Sequence, residues 1–118
     1  MMYKVNYYSL ALKDLLEIYN YIKNVIKEPV ITEKQFNRIR KKNESLDFMP
    51  TRYSKVATEP WNGLGVRKCV VDNYTVYYLI DENEQCVNVF RVAYNSRNLK
   101  NVLEKNMMIH EDIVDYGN

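Results

Sequence analysis

Three stretches in the second half of the chain decide its fold: 66-VRKCVV-71, 74-YTVYYLI-80 and 85-QCVNVFRVAY-94. The middle one is β-branched and aromatic throughout, as a central strand requires, because such side chains pack well on a pleated surface. Asp72-Asn73 turns the chain between the first two, although the usual partner glycine is missing. Asp81–Glu84 is polar and turns it again. Two hairpins in succession make an antiparallel meander. Beyond it, Leu99, Val102 and Leu103 predict a short terminal helix.

Upstream of the meander, Pro50 and Pro60 bracket a loop from Asp47 to Gly65. Loops of that length inside a compact domain are uncommon and often functional. Two helices precede it. The first is expected over Leu10–Lys27, with Ser9 as its N-cap. Ala11, Leu15, Ile18, Ile22 and Val25 form its apolar stripe, widened by Leu12, Leu16 and Tyr19, while Lys13, Asp14, Glu17, Lys23 and Asn24 lie mostly opposite. Glu28 precedes Pro29 and is pushed away from helical angles, which ends that helix. In the second helix Thr32 and Gln35 have capping-box spacing, although Pro29 also suits a first turn. Phe36, Ile39, Asn43 and Leu46 mark its buried side, and Arg38, Arg40, Lys41 and Lys42 form a basic run that reads first as a solvated face. Tyr3–Tyr8 alternates as a short opening strand, with Tyr3, Val5 and Tyr7 on one face. The order is therefore β-α-α-β-β-β-α: an α+β fold in which a two-helix hairpin packs on an antiparallel sheet of about four strands. The opening strand is expected to pair with the meander, since alone it would be an open edge.

At 118 residues this is the length of one domain. Residues 1–106 are expected to form it, with 107–118 as an acidic tail. All 17 Lys and Arg lie in the body with 12 of the acids, a balance of +5, whereas the tail carries Glu111, Asp112 and Asp115 and no base. A mildly basic body permits a polyanionic target without requiring one. No apolar run approaches the roughly 18 residues of a membrane span. The N-terminus has no apolar signal core, so a cytoplasmic location is expected. Cys69 and Cys86 each sit in an apolar run, fit no metal spacing and read as reduced core or near-core residues. His110, the only histidine, has no Cys or His neighbour to complete a metal site.

Several chemistries drop out. With only Gly63, Gly65 and Gly117 there is no glycine-rich phosphate loop, and there is no nucleophile elbow. Neither a metal nor a cofactor is expected. What remains is a concentration of cations and phenols: Arg67 and Lys68 on the first meander strand, Arg91 and Arg97 in or just after the third, and Tyr74, Tyr77, Tyr78 and Tyr94 among them. Arginine is a forked donor suited to phosphate oxygens, and aromatic rings stack on unpaired bases. A metal-free nuclease needs such groups: cations against the phosphorane charge, plus an acid and a base. The competing reading makes Tyr74 and Tyr78 core residues and pairs the arginines with an acidic partner. Strand alternation sends Arg67 and Lys68 to opposite faces, so one pocket holds both only if a bulge intervenes.

Taken in order, Tyr3-Lys4-Val5, Ala11, Asp14-Leu15, Ile18, Tyr21-Ile22, Leu46, Pro50, Arg52-Tyr53, Gly65-Val66-Arg67, Asn73 to Tyr78 and Arg91 to Asn98 resemble RelE/ParE toxins over about residues 2–103. The resemblance implies a type II toxin-antitoxin system, in which the toxin halts growth and a cognate antitoxin silences it. RelE-like members cut mRNA on the ribosome; ParE-like members poison DNA gyrase without catalysis; the shared fold does not choose between them. The leading expectation is the ribosome-dependent mRNA endoribonuclease, with Arg97, Lys68 and Arg67 as its catalytic set and Arg91, Tyr94 and Lys100 contacting the target; a gyrase inhibitor without catalysis is the alternative. Thr75 and Leu103 stand where such nucleases often carry arginine and tyrosine. Asp14-Leu15-Leu16-Glu17-Ile18 looks more ParE-like. A third reading is a decayed toxin that only binds its antitoxin.

Overall fold

A computed structural model describes residues 2–95, 99–108 and 113–114. Its elements are β1 (Lys4–Tyr8), α1 (Ser9–Ile26), α2 (Pro29–Glu44), β2 (Arg67–Val71), β3 (Tyr74–Asp81), β4 (Cys86–Tyr94), α3 (Leu99–Met108) and β5 (Ile113–Val114). The sheet runs β2-β3-β4-β1-β5. β2, β3 and β4 form the expected meander, Val71 facing Tyr74 across the Asp72-Asn73 turn. Asp72 takes φ 54° there, a conformation Asp tolerates better than bulkier residues.

β1 pairs with β4, but in parallel, Val5 opposite Val87 and Tyr7 opposite Val89. The sheet is therefore mixed rather than wholly antiparallel. The reason is topological: α1 and α2 form a hairpin and the loop returns the chain to the far edge, so β4 runs back in the direction of β1. Within the tail, Ile113 and Val114 pair antiparallel with Tyr8 and Tyr7 on the outer edge of β1.

The helix boundaries follow local chemistry. Ser9 is the first helical residue rather than the cap. α1 closes at Lys27, in the left-handed region at φ 57°, whose N–H donates to the Lys23 carbonyl. α2 starts at Pro29, whose missing N–H costs nothing at that position. The Glu28 carboxylate accepts from the N–H groups of Val30 and Ile31. Glu28 thus does the capping that Thr32 and Gln35 were expected to do. Arg38, Arg40 and Lys41 are exposed, as the solvated-face reading expects.

Both faces of the sheet are covered. On one, Ala11, Leu15, Ile18 and Ile22 of α1 and Ile39 of α2 pack on Tyr7, Cys69, Val76, Tyr78, Val87 and Val89. Tyr74 and Tyr78 belong to this core, 8% and 0% exposed. On the other face Trp61 and Val56, from the long loop, join Val66, Phe90, Ala93, Val102 and Leu103 in a second, smaller core. The loop is therefore a structural lid over the sheet's back. Its backbone turns on itself, with Asn62 N–H donating to Thr58 and Val66 N–H to Trp61.

Candidate functional site

The strand register settles how the basic groups are distributed. Lys68 faces Tyr77, and Tyr77 faces Arg91, a row on the side of the sheet covered by α3. Arg67 faces Tyr78 on the helix-hairpin side. Among the described residues the only register slip lies between β3 and β4: Tyr77 pairs with Arg91 and Tyr78 with Val89, leaving Phe90 as the extra residue of a bulge. No slip separates Arg67 from Lys68, so the two stay on opposite faces.

Each basic group then has its own surroundings. Arg67 is half-buried and donates through Nη1 to the Tyr53 carbonyl at 2.6 Å, tying β2 to the loop. Lys68 is exposed, and its backbone N–H donates to the Ser54 carbonyl at 3.1 Å. Lys100 is exposed on α3. Arg97 lies outside the described residues.

Arg91, expected at the target surface, is instead an interior residue. Its Nε donates to Asp14 Oδ2 at 2.7 Å and its Nη2 to Asp14 Oδ1 at 2.9 Å. Its Nη1 donates to the Val102 carbonyl of α3 at 2.8 Å. The Val92 N–H adds a third bond to the Asp14 carboxylate at 3.0 Å. A forked donor against a carboxylate is the geometry in which burial of two charges is tolerable. Arg91 therefore locks α1 and α3 to β4, with its side chain only 9% exposed. Asp14 belongs to the buried stripe of α1 rather than its polar side: it sits three residues after Ala11 and four before Ile18. A carboxylate at stripe spacing was the available signal of a buried ion pair.

A second set of cations organises the loop. Arg52 donates to the carbonyls of Ser45 (3.1 Å), Phe48 and Met49 (3.2 Å), the end of α2 and the turn beyond it. Its guanidinium lies 4.6 Å from the Tyr53 ring centroid. The Tyr78 hydroxyl donates to the Pro50 carbonyl at 2.6 Å. These contacts hold the segment after α2 against the sheet.

Among the phenols, Tyr94 is 46% exposed and meets the Tyr74 ring edge-on with centroids 5.7 Å apart. Burial pushes the pKa of Tyr74 up, with the oxygens of Tyr21, Tyr94 and Asp72 adding to it. Burial also raises Tyr77 and Tyr78, in each case as the largest cause. At neutral pH these three hydroxyls stay protonated and act as donors, not bases. Tyr74 and Tyr94, with Asp14, Glu17 and Tyr21, border a cleft of about 350 Å³ between α1 and the β4 end of the sheet.

The sequence of residues 5–99 matches the family described as the ParE toxin of the type II toxin-antitoxin system, parDE. No curated protein matches significantly. Among solved structures, a chain of the chromosomal ParDE TA system from P. aeruginosa superposes with a TM-score of 0.64 at 18% identity, over 79% of this chain and 96% of that one. A chain of the toxin-antitoxin complex RelBE2 from Mycobacterium tuberculosis gives 0.56 at 20% identity, over 80% and 99%. One from the archaeal RelE-RelB complex of Pyrococcus horikoshii OT3 gives 0.55 at 12%, over 83% and 100%. These likenesses are of fold. The family match covers most of the chain and includes the whole meander and both helices of the hairpin, and the chain therefore belongs to the ParE toxin family of type II toxin-antitoxin systems.

Proposed function

We propose that this toxin arrests growth in the cytoplasm by binding a protein target, DNA gyrase, without catalysis of its own, and that a cognate antitoxin neutralises it. The observation that carries this reading is the dispersal of the basic groups. Arg67 and Lys68, two of the expected catalytic groups, lie on opposite faces of β2, and Arg91, an expected target contact, is paired with Asp14 instead. Phosphoryl cleavage without metal needs cations and a proton donor and acceptor around one phosphate. The family match to ParE toxins is consistent with this choice. For the antitoxin, support comes from relatives whose structures are those of toxin-antitoxin complexes. A neighbouring reading frame encoding a short protein is the simplest check on that partner.

The experiment is induction of the toxin in its native background, followed by mapping of the first damage. Chromosomal breaks linked to gyrase are expected. Ribosome-bound mRNA cut at codon positions, abolished by Arg97→Ala, would overturn the proposal in favour of an endoribonuclease with Arg97 and Lys68 at the phosphate. Absence of growth arrest with retained antitoxin binding would identify a decayed toxin.

A further inference from the structure

The cleft at the β4 end of the sheet has a composition that neither a nuclease nor a generic apolar groove requires. Its walls are Glu17, Ile18 and Tyr21 of α1, Tyr74 of β3 and Tyr94 of β4, with Asp14 behind them. No Lys or Arg is among the described residues that line it. Asp14 is neutralised by Arg91. Glu17 is exposed and, among the described residues, makes neither a hydrogen bond nor an ion pair.

Three tyrosines, Tyr21, Tyr74 and Tyr94, border the opening. Tyr21 is 62% exposed, while Tyr74 is held nearly buried by the edge-on ring of Tyr94. Phenol and carboxylate oxygens gather around Tyr74, and together with its burial they oppose formation of a further negative charge there. An anion entering this space would meet Glu17 with no compensating cation among the described lining residues. A neutral apolar group would leave the Glu17 carboxylate unused. A cation meets tyrosine rings and a free carboxylate together, the combination by which aromatic sites recognise ammonium and guanidinium groups.

The cleft does not end at Tyr94. Tyr21, Tyr74 and Tyr94 also line an adjoining groove of about 430 Å³ that runs past Val25 toward the Arg38–Asp72 ion pair, itself 3.0 Å long. That continuity suits a polypeptide segment rather than a free ion. We propose that this cleft is a recognition site for one arginine or lysine side chain carried on a segment of a protein partner, seated among Tyr21, Tyr74 and Tyr94 with Glu17 as its counter-ion. The site stands whichever target the toxin acts on.

The test is a two-dimensional NMR titration of the purified chain with N-acetyl-arginine methylamide, against the neutral isostere N-acetyl-citrulline methylamide. Amide shifts centred on Glu17, Tyr21 and Tyr94 are expected to require about fivefold more of the citrulline probe for the same size. Glu17→Gln is expected to bring the two probes within about twofold of each other. Tyr94→Leu is expected to weaken the arginine response, with shifts elsewhere confined to the neighbourhood of Tyr74, because Tyr94 is 46% exposed and its one ring contact is the edge-on packing against Tyr74. Equal responses to the two probes would mean an apolar groove and overturn the site. No response to arginine, or one that survives both substitutions, would overturn it as well.

Discussion

Arg91 Nε and Asp14 Oδ2 meet at 2.7 Å across 77 residues of chain, with their side chains only 9% and 10% exposed. This pair is the joint between the helix hairpin, the sheet and the terminal helix, because Arg91 also binds the Val102 carbonyl. Removing one member leaves the other charged and unpaired in the interior. Asp14→Ala and Arg91→Ala are each expected to lower the unfolding free energy by about 3–5 kcal/mol. Replacing both together with apolar residues of similar volume is expected to cost markedly less than the sum. Urea denaturation of the three variants measures this; a loss below about 1 kcal/mol for either single change would contradict the joint.

Arg67 and Lys68 offer a contrast within one dipeptide. Arg67→Ala strips the Tyr53 carbonyl of its donor and loosens the loop, at an expected cost of about 1–3 kcal/mol. Lys68→Ala, on the exposed side, is expected to change stability by no more than about 0.5 kcal/mol. Thermal melts of the two variants side by side check it, and equal losses would mean that the facing of β2 is wrong.

Trp61 is the main side chain by which the long loop fills the second core. Trp61→Ala is expected to cost about 3–5 kcal/mol. Hydrogen exchange gives a sharper readout than global stability: amides of β4 near Phe90 and of α3 near Val102 are expected to lose protection, while those facing α1 keep theirs. Uniform loss would argue that the two cores do not open separately.

Cys69 predicts an alkaline limit. Burial pushes its thiol from 9.0 up to about 11, with Lys42 and Arg52 pulling weakly the other way. In the unfolded chain the proton leaves near pH 9, so above that pH the unfolded state holds fewer protons than the folded one. Stability is therefore fully present below pH 9 and falls as pH rises toward 11, by an amount on the order of 2–3 kcal/mol for this group. The raised Tyr74, Tyr77 and Tyr78 extend the fall higher. Denaturant midpoints taken from pH 7 to 10.5 are expected to be flat and then decline, and Cys69→Ala is expected to soften the decline. A midpoint that rises above pH 9 would refute the assignment.

The meander, the two helices, the terminal helix and the family were legible in the sequence. Each rests on local information: β-branched runs bounded by polar turns, 3.6-residue stripes, and a proline that stops one helix and starts the next. The reading of Tyr74 and Tyr78 as core residues also lay within reach of the sequence, and alternation sent Arg67 and Lys68 to opposite faces, since a strand alternates whatever surrounds it. What only the tertiary structure decided involves partners far apart in the chain. The parallel pairing of β1 with β4 depends on the path of the whole hairpin. The covering of the sheet's back by Trp61 depends on a loop with no period to read. Arg91 had the residue type, the strand and the neighbours of a target-binding group. Its role changed because Asp14, 77 positions earlier, supplies a buried carboxylate within hydrogen-bonding distance, and a charge follows its nearest opposite charge rather than its sequence motif.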